Sequence, residues 1–213
     1  AENDVINVLL ADHHPIVREG LEKVLSQDQN VRIAGAVQRG SEVMDYFRTR
    51  DCDILILELS MPDRNGLAIL ERLKSNKRDL KILVLTSSTE DFYALQALKS
   101  GADGYLTKDC SPAELMSAVR RIASGGKYIS PSVAERLCDI YQNGDDHLAP
   151  HHGLSTREFQ IMCLIASGKK PKEIADGLNL AVRTINTYRE RILSKMQMKS
   201  NAELTRYVTQ NAL

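Results

Sequence analysis

The sequence predicts an α/β domain followed by a small all-α domain. Short apolar runs alternate with stretches of helical periodicity over residues 5–124, and strand-like runs are absent from the last sixty residues or so of the sequence. The charge also changes along the chain: residues 151–213 carry ten Lys and Arg against five Asp and Glu, whereas residues 1–150 carry 18 against 23. A basic segment behind an acidic one indicates a polyanionic partner for the C-terminal part.

Composition indicates an ordinary globular protein, with 43% hydrophobic and 26% charged residues among 213. No apolar run approaches the roughly 20 residues of a membrane span, and no signal peptide is recognisable. The cysteines are scattered without metal-binding spacing, so we expect reduced thiols in a cytoplasmic protein that does not bind a membrane. They are Cys52, Cys110, Cys138 and Cys163.

Five apolar runs alternate with five helical stretches. The expected strands are 5–10, 31–37, 53–57, 81–86 and 104–107. The expected helices are 15–26, 41–49, 66–75, 90–99 and 111–124, the first with Pro15 in its first turn. This strict order predicts a parallel sheet covered by helices on both faces.

Polar residues follow four of these strands. Asp12 and His13 follow the first strand, Glu58 the third, Thr86 ends the fourth and Lys108 follows the fifth. Because the carboxyl ends of parallel strands form the functional crevice of such sheets, we expect these side chains to converge. Two carboxylates, a hydroxyl and an ammonium group together indicate phosphoryl chemistry or a metal site.

Four motifs, ADHHPIVREGL, DILILELSMPDRNGL, ILVLTSS and GADGYLTKD, resemble the receiver domain of bacterial response regulators of the NarL/FixJ type. The resemblance implies a flavodoxin-like (βα)5 fold, Mg²⁺ bound by an acidic pair, and transfer of a phosphoryl group from a sensor histidine kinase to a strand-end Asp. Asp12 matches the first acid of the pair, and Tyr105 matches the aromatic that moves on activation. Thr86 and Lys108 match the hydroxyl and ammonium groups that bind the phosphoryl oxygens, which we call the phosphoryl grip. The pocket-shaping loop is matched by Met61, Pro62 and Gly66.

Two positions depart from the family pattern. His13 replaces the second acidic metal ligand, and Glu58 replaces the phosphoacceptor Asp. Mg²⁺ prefers hard oxygen ligands, so we expect binding at Asp12 and Glu58 to be weak. We therefore expect a receiver that is phosphorylated poorly or not at all, with Glu58 either imitating the phosphoryl charge or silent. The alternatives are an ordinary receiver switched by a kinase, or an engineered phosphomimic of one.

Residues 129–153 are predicted to be a linker with one short amphipathic helix, between a receiver at 1–128 and a second domain at 154–213. His147, His151 and His152 lie in the turn-rich part of this linker, and we interpret them as solvated side chains without a role. Four helices follow, the first and last opened by the capping boxes Ser155–Glu158 and Ser200–Glu203, and the first ended by Gly168.

The third of these helices, residues 182–196, follows the short turn 179–181 and is predicted to read DNA. The segment from Leu154 to Met196 resembles the LuxR-type helix-turn-helix domain. An apolar inner face is expected from Val182, Ile185, Ile192, Leu193 and Met196. The resemblance implies a homodimer on double-stranded DNA, with base contacts from Asn186, Thr187 and Glu190. Phosphate contacts are expected from Lys169, Lys170, Lys172, Thr184 and Arg189, further DNA contacts from Arg183 and Tyr188, and dimer contacts from Leu204, Tyr207 and Val208.

The leading interpretation is therefore a DNA-binding transcription regulator that is not an enzyme. A small phosphatase-like or flavin-binding α/β enzyme is one rival, but the sequence offers neither a Gly-rich phosphate loop nor an acidic pair for hydrolysis. A protein-only adaptor with a relic helix-turn-helix is the other rival, which steeply salt-dependent binding to duplex DNA would exclude.

Overall fold

The computed structural model describes residues 5–87, 91–143, 149–211 and 213. The chain divides into two compact units, Ala1–Leu137 and Cys138–Leu213. The division falls inside the region expected to be a linker, so the receiver unit extends beyond the predicted boundary at residue 128. Residues 144–148, which include His147 and part of the turn-rich linker segment, lie outside the described residues.

The first unit contains a parallel sheet of six strands in the order β2-β1-β3-β4-β5-β6. The strands are β1 Ile6–Ala11, β2 Val31–Val37, β3 Ile54–Leu57, β4 Lys81–Thr86, β5 Gly104–Thr107 and β6 Tyr128–Ile129. All five expected strands are confirmed. The sixth was not predicted, and it extends the sheet by two residues beside β5.

Helices cover both faces of this sheet. They are α1 Pro15–Leu25, α2 Gly40–Thr49, α3 Gly66–Asn76, α4 Asp91–Lys99 and α5 Pro112–Ala123. Apolar residues of α1 and α5 pack with one side of the strands, and those of α2, α3 and α4 pack with the other. A further helix, α6 Pro131–Asn143, buries Val133 in the apolar cluster formed with α2, α3 and α4. The start of the expected linker helix therefore belongs to the receiver core.

The second unit holds a one-turn 3-10 helix and four α-helices. These are the 3-10 helix Pro150–Gly153, then α7 Thr156–Ala166, α8 Pro171–Leu178, α9 Val182–Lys195 and α10 Asn201–Gln210. Its core includes Phe159 and Met162 of α7 together with Ile192 of α9. The four predicted helices are confirmed, and α8 and α9 are joined by a turn in which Asn179 adopts a left-handed conformation with φ of 53°.

The helix ends follow the expected capping chemistry with one difference. Ser155 and Glu158 form the predicted reciprocal capping box at α7, and Gly168 follows that helix with φ of 81°. At α10, the Ser200 side chain accepts from the Glu203 N–H, but the Glu203 carboxylate accepts from the N–H of Lys199 rather than from Ser200. The second capping box is therefore only half as predicted.

Several predictions about the apolar faces are wrong. Val182, the first residue of α9, is 42% exposed, whereas Ile185 one turn later is buried. Leu204 and Val208 are buried in the domain's own core, where α10 packs on α7, so neither is available to a second copy. His151 is also buried rather than solvated.

Among the described residues, no helix is both long and apolar enough to cross a membrane.

Candidate functional site

Main-chain hydrogen bonds bring the predicted polar residues to one edge of the sheet. The N–H of Glu58 donates to the Ala11 carbonyl at 2.9 Å, which fixes the end of β3 beside the end of β1. The N–H of Lys108 donates to the Thr86 carbonyl at 2.9 Å, which fixes the end of β5 beside β4 in the same way. The convergence expected from parallel strands is therefore present.

Glu58 is the centre of this pocket, and its side chain is 1% exposed. One carboxylate oxygen, Oε1, accepts from the Thr86 hydroxyl at 2.6 Å and from the Ser60 N–H at 2.9 Å. The other, Oε2, lies 2.6 Å from the Lys108 ammonium. Both oxygens of the buried carboxylate are thus paired, by the residues that the sequence assigned to the phosphoryl grip.

The Lys108 ammonium joins Glu58 to a second buried carboxylate. It lies 2.5 Å from Oδ2 of Asp12 as well as 2.6 Å from Glu58. The other oxygen of Asp12, Oδ1, accepts from the N–H of His14 at 2.9 Å and lies 3.0 Å from Nδ1 of the same residue. One ammonium therefore serves two carboxylates, and the three groups carry a net charge of −1.

The ionisation of Glu58 follows from these contacts. Burial acts to raise the pKa of the Glu58 carboxyl, but the hydrogen bonds from Lys108, Ser60 and Thr86 outweigh burial and hold the pKa below its usual value. The carboxylate is consequently charged at neutral pH. The pocket contains a fixed negative charge at the end of β3.

The donor set does not fit the Mg²⁺ that the resemblance implies. Mg²⁺ needs hard oxygen ligands in a near-octahedral array. At this edge, the Lys108 ammonium lies between the Asp12 and Glu58 carboxylates, and the position of the second acid holds His13. Nδ1 of His13 is buried and has no hydrogen-bond partner among the residues that the structure describes. An imidazole nitrogen suits softer metals than Mg²⁺.

Three other receiver residues singled out by sequence lie in the core or at the start of α3. Tyr105 of β5 is buried with the core cluster that contains Met61. Gly66 begins α3 so close to the preceding loop that a Cβ there would lie 2.5 Å from Cα of Leu59. This close approach accounts for the glycine in the loop motif.

The second unit presents a polar surface along α8 and α9. Of the residues expected to contact bases, Asn186, Thr187 and Glu190 are all exposed. The lysines expected to contact phosphates are also exposed, namely Lys169, Lys170 and Lys172. Such groups are the types that reach phosphates and base edges.

Two of the basic residues on α9 have partners inside the domain. Arg189, which was expected to contact phosphate, donates from Nε to the Asn201 side chain of α10 at 2.6 Å. Lys195 forms a 2.7 Å ion pair with Glu158, which is buried at the start of α7. The roles of these two cations inside the domain were not evident from the helical pattern.

One residue on this surface was missed by the sequence reasoning. Arg191 is exposed and lines a shallow concavity of about 270 Å³ along α9. The remaining lining residues are Arg183, Thr184, Thr187 and Tyr188. The spacing of Arg183, Thr187 and Arg191, one turn apart each, would have identified Arg191 as part of the same helix face.

Comparisons with known proteins agree with these two sites. The model of the response regulator receiver domain matches residues 8–120, and that of bacterial regulatory proteins of the luxR family matches residues 152–208. The chain is a response regulator of the NarL/FixJ family. It is 34% identical to the response regulator UvrY of Escherichia coli K12, over 98% of this chain and 96% of the relative. It is 33% identical to GacA of Pseudomonas aeruginosa, over 94% of each chain.

A solved structure resembles the full length of this response regulator. RcsB from Salmonella enterica serovar Typhimurium, bound to a promoter in the presence of the phosphomimetic BeF3⁻, has a TM-score of 0.75 at 26% identity, covering 97% of this chain and 99% of that chain. Another structure contains two RcsB dimers bound to two parallel DNAs. The chain is thus a DNA-binding transcriptional regulator of the same kind, and the relatives that it matches are named response regulators.

Proposed function

We propose that this response regulator controls transcription with a receiver in which Glu58 takes the place of a phosphorylated aspartate, so that phosphorylation is poor or does not occur. The observation that supports the proposal is the set of bonds made by the Glu58 carboxylate. It already engages the Thr86 hydroxyl at 2.6 Å and the Lys108 ammonium at 2.6 Å, the two groups expected to hold phosphoryl oxygens.

Two physical arguments favour this reading over ordinary phosphorylation. The nucleophilic oxygens of Glu58 are both occupied, and the lowered pKa makes the carboxylate a weaker nucleophile. The donor set does not fit Mg²⁺, which otherwise neutralises the charge that develops during phosphoryl transfer. A kinase that acts on this chain would therefore have to overcome both obstacles at once.

The output of the proposed function is DNA binding by α9. Asn186 and Glu190 are the proposed base-reading residues, Thr187 lies between them on the exposed face, and Lys169, Lys170 and Lys172 are the proposed phosphate contacts. By analogy with RcsB, whose dimers bind DNA, we place two copies of this chain on duplex DNA. Because Leu204 and Val208 are buried, the contact between copies would use exposed residues of α10, such as Ala202 and Arg206.

Intact-protein mass spectrometry tests the receiver. The protein is incubated with acetyl phosphate and Mg²⁺, alongside Glu58→Asp and the double variant Glu58→Asp/His13→Asp. We expect a phosphoryl adduct only where the aspartate is restored, and most adduct in the double variant. An adduct on the unaltered chain as abundant as on the double variant would support the ordinary kinase-switched regulator instead.

DNA binding tests whether Glu58 imitates phosphate or is silent. If the carboxylate stands in for phosphoryl charge, Glu58→Gln should bind duplex DNA more weakly than the unaltered protein, because the uncharged amide pairs less strongly with Lys108. Arg48→Gln is the control, since Arg48 is exposed and, among the described residues, its ion pair is a surface pair with Asp45. Equal DNA affinity for Glu58→Gln and the unaltered protein would contradict imitation and favour a silent pocket.

A further inference from the structure

Three consecutive residues at the end of β1 carry metal-binding groups. One ligand atom from each of Asp12, His13 and His14 can be chosen so that all three lie within 4.8 Å of one another. Asp12 is buried, His13 is half-buried and His14 is exposed, so the group extends from the pocket to the surface. His14 is the residue immediately before α1, where the chain turns from strand into helix.

His13 shows that this group has an unused donor. Its Nδ1 atom is buried and has no hydrogen-bond partner among the described residues. A buried polar nitrogen without a partner is destabilising, and native folds rarely leave one unless a bound ion, water or ligand completes it. The His13 and His14 rings are in contact, with centroids 3.7 Å apart. One ligand atom of each imidazole also lies within 4.8 Å of a carboxylate oxygen of Asp12.

From this arrangement we infer that Asp12, His13 and His14 form a site for a borderline divalent transition-metal ion, such as Ni²⁺ or Zn²⁺. Two imidazoles and one carboxylate are a donor set that suits these ions and does not suit Mg²⁺. The replacement of an acidic residue by His13 then changes which metal the pocket edge selects. Glu58 is not a ligand in this site, so the inference goes beyond the proposed function of Glu58.

The surrounding charges decide how a metal would approach. Oδ2 of Asp12 is held by the Lys108 ammonium, which also lies 3.4 Å from Nδ1 of His14. Because the ammonium repels a cation and already pairs with Oδ2, a metal would bind Asp12 through Oδ1. If His14 coordinates through Nδ1, that nitrogen must give up its contact with Oδ1 of Asp12. The neutral imidazole then carries its proton on Nε2.

Calorimetric titration of the full chain with Ni²⁺ or Mg²⁺ tests the inference. We expect Ni²⁺ to bind more tightly than Mg²⁺, and His13→Asn and His14→Asn each to weaken Ni²⁺ binding by about tenfold or more. His152→Asn is the matched control, because it removes an imidazole from the second unit, and we expect it to change Ni²⁺ affinity by less than about twofold. Far-UV circular dichroism checks that each variant is folded.

A fourth variant, His13→Asp, should change the affinities for Ni²⁺ and Mg²⁺ in opposite directions. His13→Asp restores an oxygen ligand, so it should weaken Ni²⁺ binding and strengthen Mg²⁺ binding. Unchanged Ni²⁺ affinity in both His13→Asn and His14→Asn, or loss of Ni²⁺ binding in His152→Asn, would overturn the site. Such a failure is distinct from a failure of the proposed function, because the DNA affinities of the Glu58 variants are measured with a chelator present.

Discussion

The strand-end pocket of the receiver and the outer face of α9 differ in how their charged side chains are buried and paired. In the pocket, Glu58 is buried and both of its oxygens have partners within the same unit. On α9, Arg183 and Glu190 are exposed. A buried charge is stable only when its partners are built in, whereas an exposed charge remains available to a ligand. The buried charge of the receiver pocket is therefore compensated within its own domain, whereas the exposed charges of α9 remain available to bind a polyanion.

The largest effect should follow from removal of the pocket's shared cation. Lys108→Met leaves Asp12 and Glu58 as two buried carboxylates without their ammonium, and we expect the free energy of unfolding to fall by about 3–5 kcal/mol. Urea unfolding followed by circular dichroism measures this loss. Arg48→Met is the control, because it removes an exposed pair with Asp45 and should cost less than about 1 kcal/mol.

The pH dependence of Lys108→Met sharpens the same test. Without the ammonium, burial dominates and the pKa of Glu58 should rise, so protonation at low pH relieves the repulsion. The stability difference between the variant and the unaltered protein should thus shrink as the pH falls from 7 to 4. A difference that stays constant over this range would show that lost packing, not charge, destabilises the variant.

A second buried ionisable group, in the other unit, provides the contrasting case of a neutral side chain. His151 contacts Tyr207 through a 2.7 Å hydrogen bond at Nδ1, and it packs beside Phe159 and His152. Burial, with a smaller effect of His152, lowers the pKa of His151 from 6.5 to about 4. The folded domain thus binds the proton less readily than the unfolded chain does.

Stability of the second unit should therefore fall in mild acid. The contribution of His151 is complete above pH 6.5 and is lost as the pH drops towards 4, by about 2 kcal/mol at pH 5. Hydrogen exchange of the α10 amides in the full chain, compared at pH 8 and pH 5 after correction for the intrinsic rate, measures the change. His151→Phe cannot titrate, so an equal pH dependence in that variant would contradict the assignment.

A smaller effect is expected on the exposed side of the comparison. Arg191→Ala removes one guanidinium from the concavity along α9, so duplex DNA should bind about 1 kcal/mol more weakly, whatever its sequence. The slope of log affinity against log salt should fall by about one unit. Lys199→Ala removes the same charge from the turn before α10, and a loss equal to that of Arg191→Ala would mean that net charge alone matters.

The sequence predicted the pocket better than it predicted the C-terminal surfaces. Parallel strands bring their carboxyl ends together regardless of loop detail, so the order of the strands is enough to predict that Glu58 and Lys108 share one pocket. The two-residue strand Tyr128–Ile129 is too short to show a period, and it was missed. The proposed metal site at His13 and His14 depends on ring orientations, which sequence spacing does not determine.

An apolar stripe on a helix indicates that a face is covered but not what covers it. The stripe of α10 was expected to pair two copies, yet Leu204 and Val208 pack inside the domain. Tyr207 is engaged by His151 from the 3-10 helix, a residue that sequence reasoning left without a role. Both errors have one cause, because periodicity does not reveal long-range contacts such as those between α10 and the segment before α7.

The smallest expected effect concerns the start of α9, where Ala181 occupies the N-cap position without a side-chain hydrogen bond. The backbone of Ala181 is extended as in other caps, but its methyl group cannot accept a hydrogen bond from the first turn. Ala181→Ser should therefore stabilise the second unit by about 0.5–1 kcal/mol. Protection of the α9 amides from hydrogen exchange in the full chain is a direct measure of this gain.

The same variant separates stability from recognition on the α9 surface. Free N–H groups at a helix start attract phosphate, and a serine cap would compete for one of them. If α9 binds DNA through its exposed side chains, affinity for duplex DNA should change by less than about twofold in Ala181→Ser. A larger loss would mean that the uncapped end of α9 itself contacts a phosphate. The N–H groups of the first turn would then belong to the DNA-binding surface together with its exposed side chains.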